Sequence, residues 1–338
     1  MKRYLSLLMT FIILCGLSGC TPEEPQKIED YIATKANAVY IYDGPEETYS
    51  AWNIHNDYVS DGYIQRKIKA DTYYIGELLQ VADGEMRVVY SQNNYSYMDD
   101  FKKYEPNYDA LILKEPLEEG NTWQLDVGAD GAVTAEITDM NAKITVPYGK
   151  FEAMEVTIRF AQAPDYQREY YVKGIGLVRM ESVRENGDVI STDLKEIQES
   201  SNFSNELAFY YPVLDSGELG VETRNVNYET NMDVAKFFED NLKKYEEGHT
   251  PVFSENVKIN SMKRDYKTGL IQVDLSEDFI TGMNAGAALE SLILDSLTQT
   301  ICRFYRADMM ELKIDGKNYE SGHISLGDGE YLEVEVQE

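Results

Sequence analysis

From about residue 31 to 198 the chain alternates apolar and polar positions with a period of two. The clearest runs cover 39–42, 50–59, 62–68, 85–90, 132–137, 151–160 and 176–182. Period two sends successive side chains to opposite faces of a strand. Asp-Gly pairs at Asp61-Gly62, Asp83-Gly84 and Asp130-Gly131 sit between runs, as two-residue hairpin turns require. No long helical period interrupts the series, so 31–198 is predicted to be an all-β antiparallel domain. Seventeen of the 26 tyrosines lie in it, which implies cross-strand aromatic packing or an aromatic face that stacks on sugars or peptides.

A polar, turn-rich stretch at 198–202 (Gln-Glu-Ser-Ser-Asn) marks a boundary. Beyond it, 203–338 mixes the two periods. Residues 207–213 and 219–226 read as strands. Residues 232–245 read as a helix, with Val234, Phe237, Phe238, Leu242 and Tyr245 near 3.6 spacing. Strands follow at 257–262 and 270–275 around the turn Lys267-Thr268-Gly269. Asn284 is placed to cap a helix running to about residue 305, and strands at 309–314 and 331–336 close the chain. The order ββαββαββ predicts an α/β sandwich with two helices on one face of a mixed sheet, making the whole chain α+β. One residue in the second helix breaks its pattern. With Leu289 at zero on a helical wheel of about 100° per residue, Ile293, Leu297 and Ile301 fall at about 40°, 80° and 120°, and Glu290 at about 100°, inside the apolar arc. A carboxylate there needs partners or water.

The first twenty residues carry a different signal. Lys2 and Arg3 precede 14 uncharged, largely apolar residues, Tyr4 to Leu17. That run is shorter than the roughly 20 residues that span a bilayer, and reads as a signal-peptide core. It ends in Leu17-Ser18-Gly19-Cys20, which resembles the bacterial lipobox. The resemblance implies cleavage after residue 19, a diacylglyceryl group on Cys20 and anchoring through two acyl chains. Residues 20–30, with Pro22 and Pro25, read as a tether. Cys15 leaves with the signal and Cys20 is consumed, so Cys302 is the one remaining thiol and no intrachain disulfide is expected. Sixty acidic residues against 31 basic ones give a net charge of −29, which repels phosphate backbones and excludes nucleic acid bound through a basic surface.

The second half resembles the GerM (GerMN) domain of sporulation and spore-germination proteins. The words that carry this are Tyr210-Tyr211-Pro212, Glu222-Thr223-Arg224, Val273-Asp274-Leu275-Ser276 with Asp278-Phe279, Gly282-Met283-Asn284-Ala285-Gly286 with Glu290, Ile314-Asp315-Gly316-Lys317 and Ser321-Gly322-His323-Ile324. They span 207–338 in the family's order. At Gln299-Thr300-Ile301-Cys302 the chain departs from the Asn-Thr-Leu-Gly of many relatives. The resemblance implies an extracytoplasmic binding or assembly module with a fold similar to ring-building modules of secretion-type complexes, and no catalytic activity. Arg224, Asp274, Ser276, Asn284, Gly286, Glu290 and His323 are its candidate partner-binding residues, with Arg224 and His323 as candidate partners of Glu290. The first half is similar to a β-rich module that precedes this domain in lipoproteins of Gram-positive bacteria, through Leu113-Lys114-Glu115-Pro116-Leu117, Gly120, Trp123 and 170–178.

Catalytic patterns are sparse. Ser276, His323 and Asp274 supply the residue types of a triad without its spacing, and Gly-x-Ser-x-Gly, phosphate-loop and dinucleotide fingerprints are absent. Residues 126–131 (DVGADG) lack the later ligands of a calcium loop, and three histidines leave little for a metal. The chain therefore reads as a non-enzymatic lipoprotein with no cofactor, held on the outer face of a Gram-positive cell membrane by the Cys20 lipid, with envelope proteins as partners. The alternative is a module that binds peptidoglycan or wall polysaccharide through the tyrosine-rich domain.

Overall fold

In the computed structural model, residues 25–45, 51–125, 133–244 and 249–334 are described. Cys20, the signal segment, the Asp130-Gly131 turn and the acidic 126–131 stretch lie outside them. The first part forms twelve antiparallel strands: β1 (Ala38–Asp43), β2 (Trp52–Ser60), β3 (Tyr63–Ala70), β4 (Tyr73–Ala82), β5 (Glu85–Asn93), β6 (Ala110–Lys114), β7 (Thr122–Leu125), β8 (Val133–Val146), β9 (Gly149–Phe160), β10 (Tyr166–Val172), β11 (Gly176–Val183) and β12 (Val189–Glu199). Two meanders, β1–β6 and β7–β12, join where β1 pairs β12, in the order 6-5-4-3-2-1-12-11-10-9-8-7. The all-β reading of this half is what the structure has. At β4–β5 the hairpin pair Asp83-Gly84 adopts positive φ at both positions (53° and 73°), the geometry that matches strand twist.

A twisted sheet this wide curls to bury its apolar face. Its two ends come back together: the Trp123 indole N–H donates to Leu111 O at 3.3 Å, and Asn121 Nδ2 to Lys114 O at 2.8 Å. Inside the roll, Leu79, Met86 and Val88 pack in one cluster with Ala135, Val156 and Tyr171, and Ile28 and Tyr31 from the N-terminal segment insert into it. Tyr31, Tyr40, Tyr42, Tyr90, Tyr95, Tyr97, Tyr170 and Tyr171 are buried and Tyr58, Tyr63, Tyr74, Tyr104 and Tyr166 half-buried, so most of the aromatic content is packing.

The chain leaves the sheet at Glu199 and enters a hairpin, β13 (Phe203–Val213) and β14 (Glu218–Tyr228), which is a two-stranded sheet of its own. Then come α1 (Val234–Leu242), β15 (Ile259–Arg264), β16 (Leu270–Leu275), a single turn α2 (Asp278–Thr281), α3 (Ala287–Tyr305), β17 (Met309–Ile314), β18 (Lys317–Asn318) and β19 (Leu332–Glu333). The mixed sheet runs 15-16-17-18, with β16 and β17 parallel and β19 also on β17. The expected single sheet is thus divided in two, and a short α2 precedes the second helix. α3 contacts both the hairpin and β17. That position explains why 296–302 is buried all round, polar Ser296, Thr298, Gln299 and Thr300 included. Thr300 Oγ1 accepts the Tyr210 backbone N–H at 2.9 Å on the hairpin side.

Helix starts differ from the sequence reading in one instructive case. Asp233 caps α1, accepting Lys236 N–H at 3.0 Å. Asn284 does not cap α3: it sits at φ 43°, a left-handed turn that Asn tolerates, and Gly286 with extended φ, ψ is the residue that opens the helix.

Packing does not stop at the boundary. Tyr95, Tyr97, Met98 and Phe101 share one core with Phe209, Tyr228, Phe304 and Tyr305. Tyr97 meets Tyr305 edge-on at 5.5 Å, and Tyr104 meets Tyr266 at 5.1 Å. The close approach needs Gly76, where an added Cβ would fall within 2.8 Å of the Tyr95 and Phe101 rings. We expect the full chain to melt in one transition. A fragment starting at Asn202 leaves several of these rings uncovered, each forfeiting about 1.5–3 kcal/mol, and should melt lower and less cooperatively by calorimetry. A fragment as stable as the intact protein would show that the shared core is not a stability determinant.

Candidate functional site

Four of the six family words gather at one end of the C-terminal domain, and their side chains hold that end together. Asp274, near the end of β16, accepts Gly316 N–H at 3.0 Å. Asp315 accepts the Glu277 N–H at 3.2 Å and an Asn260 amide at 3.0 Å. Ser276 Oγ accepts Lys258 N–H at 3.1 Å. Glu290 is 2% exposed in the first turn of α3. Its Oε1 accepts the Tyr319 hydroxyl at 2.8 Å and the Ser321 hydroxyl at shorter range. Ser321 Oγ in turn accepts the His323 and Ile324 backbone N–H groups, so one carboxylate pins the 319–324 loop to the helix.

Arg224 is elsewhere. It pairs with Glu222 at 2.6 Å, donates to Asn241 at 3.2 Å and lies over the Phe209 ring. The expected Arg224–Glu290 pair is therefore replaced by hydroxyl donors, because Arg224 on β14 has its own acid two residues away. His323, Asn284 and Gly286 are exposed. Among the described residues no hydrogen bond joins the His323 ring to Ser276 or Asp274, so the three triad-type residues are not assembled as one. Nor does any group of three or more His, Cys, Asp or Glu side chains there stand ready to hold a metal. Cys302 is buried, and burial pushes its thiol up to about 12.

Chemistry that the sequence reading missed lies in the seam between the two halves. Gln65 and Lys67 alternate outward from β3; the 95–101 segment takes up Gln65, and Tyr95 together with Tyr228 of the second half covers Lys67. Lys67, Asp57 and His55 are fully buried. Lys67 Nζ lies 3.3 Å from Asp57 Oδ2, 4.5 Å from the Tyr228 ring centre and 4.9 Å from that of Tyr95. His55 Nδ1 is 3.1 Å from Asp57 Oδ1, and its Nε2 is 3.1 Å from Asn202 Oδ1. Desolvation lowers the Lys67 pKa, opposed by Asp57. Beside this network, Asn37 and Thr230 exchange two hydrogen bonds at 2.8 Å, and Asn231 N–H donates to Asp57 O at 2.7 Å.

A cleft of about 530 Å³ opens along the same seam. Segment 99–103, the start of α1 and strands β15–β16 line it. Asp99, 2% exposed, is held there by hydroxyls from both halves: Tyr104 at 2.5 Å and Tyr266 at 2.9 Å, both to Oδ2. Tyr104 also accepts Arg264 N–H at 3.0 Å. Burial raises the Asp99 pKa to about 6 against the pull of those hydroxyls.

Residues 208–320 match the protein family described as Germane, sporulation and spore germination. The C-terminal domain is a Germane domain. A search of curated proteins finds no match. Among solved structures, the tandem GerMN domains of the sporulation protein GerM from Bacillus subtilis are 17% identical, aligning 39% of this chain with 46% of that one at a TM-score of 0.29. The first GerMN domain of the same protein is also 17% identical, over 37% of this chain and 95% of that one, with a TM-score of 0.27. A Bacteroides fragilis protein whose fold is described as YmcC-like is 12% identical, over 50% of this chain and 99% of that one, with a TM-score of 0.32.

Two outcomes follow for the Germane domain and its seam. Glu290→Ala strands two hydroxyl donors, Tyr319 being fully buried, and should cost about 2–4 kcal/mol, whereas Glu290→Gln keeps an acceptor and should cost about half as much or less. Equal losses in denaturant melts would show that the carboxylate does not pin the loop. Asp99 carries a folded pKa above its ordinary 3.8, so its ionisation opposes folding. That cost is full above pH 6 and is relieved as pH falls from about 6 to about 4. It amounts to roughly 1–3 kcal/mol. Asp99→Asn should remove this component, gaining on the wild type at pH 8 and losing the gain by pH 4. A difference that is flat with pH would refute the assignment.

Proposed function

We propose that this protein is a non-enzymatic lipoprotein, held outside the membrane by a lipid on Cys20, whose Germane domain binds envelope proteins during sporulation or germination. The carrying observation is the Germane match over 208–320 in a chain that opens with a lipobox-type sequence at Leu17-Ser18-Gly19-Cys20. The geometry of the site supports a binding role. Asp274, Ser276 and Glu290 are spent on backbone and hydroxyl groups, which fixes the shape of the 315–324 end, while Asn284, Gly286 and His323 stay exposed on it. A preformed surface with exposed polar tips suits docking of a partner. No helix among the described residues is long and apolar enough to cross a membrane.

Wall binding is a weaker reading, since among the described tyrosines of the first half only Tyr73, Tyr108 and Tyr148 are well exposed. Pull-down from native membranes, set against sedimentation with purified wall, separates the two. Replacing Asn284 and His323 together should remove co-purifying proteins without shifting the melt. Retention of every partner, or cleavage of wall fragments by the wild type, would overturn the proposal. Cys20→Ala should release the protein to the medium or leave it unprocessed. Tight membrane retention of a cleaved Cys20→Ala chain through a high-salt wash would remove the anchor.

A further inference from the structure

The inter-domain cleft is larger than packing between two halves requires. At about 530 Å³ it falls in the size range of small-molecule sites. Its wall combines apolar surface from Tyr58, Met232, Met262 and Tyr305 with charge of both signs. At the inner end stands Asp99. Both tyrosine hydroxyls go to Oδ2, and among the described residues Oδ1 accepts no hydrogen bond. Nor is Oδ1 sealed off from solvent, since it is not among the buried atoms left without a partner. A carboxylate buried this deeply, clamped through one oxygen and open through the other, is oriented to receive a donor.

Cations complete the pattern. Lys103 and Lys263 line the same cleft and are exposed. Acids outnumber bases almost two to one in this chain, yet neither lysine forms an ion pair within 4 Å among the described residues; Lys263 Nζ instead lies 5.5 Å from the Tyr104 ring centre. Asp100 and Asp233 also line the wall, but each already caps a helical turn, accepting Lys102 N–H and Lys236 N–H at 3.0 Å.

We propose that the cleft binds a small zwitterion, an amino acid or a peptide end, with its ammonium group on Asp99 Oδ1 and its carboxylate on Lys103 and Lys263. The tyrosine and methionine walls take the carbon skeleton. Because Asp99 is held by one hydroxyl from each half, the ligand contacts both halves and stabilises the closed seam by mass action. This site is separate from the exposed Germane end and does not rest on the role proposed for it.

The test is calorimetric titration of the full chain with L-lysine, with trialanine, and with N-acetyl-alanine methylamide, which has neither charge. L-lysine and trialanine distinguish a free amino acid from a peptide end. At least one should bind about tenfold or more tightly than the blocked compound, and Asp99→Asn should weaken it by about tenfold, or 1.4 kcal/mol. In the wild type, affinity should fall as pH drops through 6, as Asp99 protonates. The groups facing that carboxyl are Tyr104 and Tyr266 by hydrogen bond and Asp100 and Lys103 on its own segment, with Asp233, Lys263, Tyr58 and Tyr305 across the cleft. No zwitterion binding at about 10 mM, a range in which even weak specific sites are filled, would overturn the proposal. So would equal binding of the blocked compound or an unchanged affinity in Asp99→Asn. Should that variant not fold, Lys103→Ala with Lys263→Ala, both at exposed positions, decides the matter: unaltered affinity in the double variant overturns it as well.

Discussion

The Lys67 ammonium is the constraint around which the two halves are arranged. It is fully buried, touches Asp57 as an ion pair and has no aligned hydrogen bond among the described residues. A lone cation in that position would be prohibitive. What makes it tolerable is assembled from distant segments: the Asp57 carboxylate from β2, the Tyr95 face from the segment after β5 and the Tyr228 face from β14. His55 orients Asp57 and is itself held by Asn202 in the connection between the halves. Removing the second half would return Lys67 to water, and removing Lys67 would leave Asp57 buried beside a histidine. The ion pair itself lies within the first half, and the second half meets it through the Tyr228 ring over Lys67 and the Asn231 N–H on the Asp57 carbonyl.

This seam also explains what the sequence revealed and what it hid. The strands of the first half were legible because period-two runs and Asp-Gly turns are local properties. The lipobox-type segment and the Germane words were legible because they are contiguous. The roll was not, since nothing in one strand says that Trp123 will meet Leu111. Lys67 was hidden for a more specific reason. Alternation along β3 assigns Ile64, Arg66 and Ile68 to one face and Gln65 and Lys67 to the other, and a lysine on the polar face reads as solvated. Only tertiary covering, by the 95–101 segment and the second domain, reverses that reading. Asp99 was hidden in the same way, inside a stretch of Tyr, Met and Asp with no period. Glu290 was found through its helical-wheel conflict, but its partners were misjudged: a wheel gives burial and not the identity of the residue across from it.

The Germane words illustrate how a motif can be both specific and chemically quiet. Asp274, Asp315 and Ser276 receive backbone N–H groups, and Glu290 receives two hydroxyls. These are the tasks for which short acidic and hydroxyl residues are suited, satisfying strand ends, tight turns and a loop without adding bulk. Such residues define the shape of this end of the domain, and on the proposed role a partner would meet that shape and not these side chains. The exposed residues set on that shape are then the ones free to vary contact from one copy of the domain to another.

Anchoring and rigidity act together. On the proposed anchor, seven residues lie between Cys20 and Ile28, which is buried in the roll. A chain spans at most about 3.6 Å per residue, so Ile28 lies within roughly 30 Å of the bilayer. The roll is tied to that segment again by Gly174 N–H donating to Asp30 O at 2.6 Å. The Germane domain is joined to the roll through a buried charge and a shared aromatic core, in place of a flexible linker. Its exposed end is consequently held in one orientation relative to the roll, and not on a free arm. On the binding role proposed above, fixed presentation would lower the orientational entropy lost on docking. That gain is forfeited if the seam opens. The cleft and its carboxylate lie in the same seam, so whatever fills the cleft bears on how firmly the Germane end is presented.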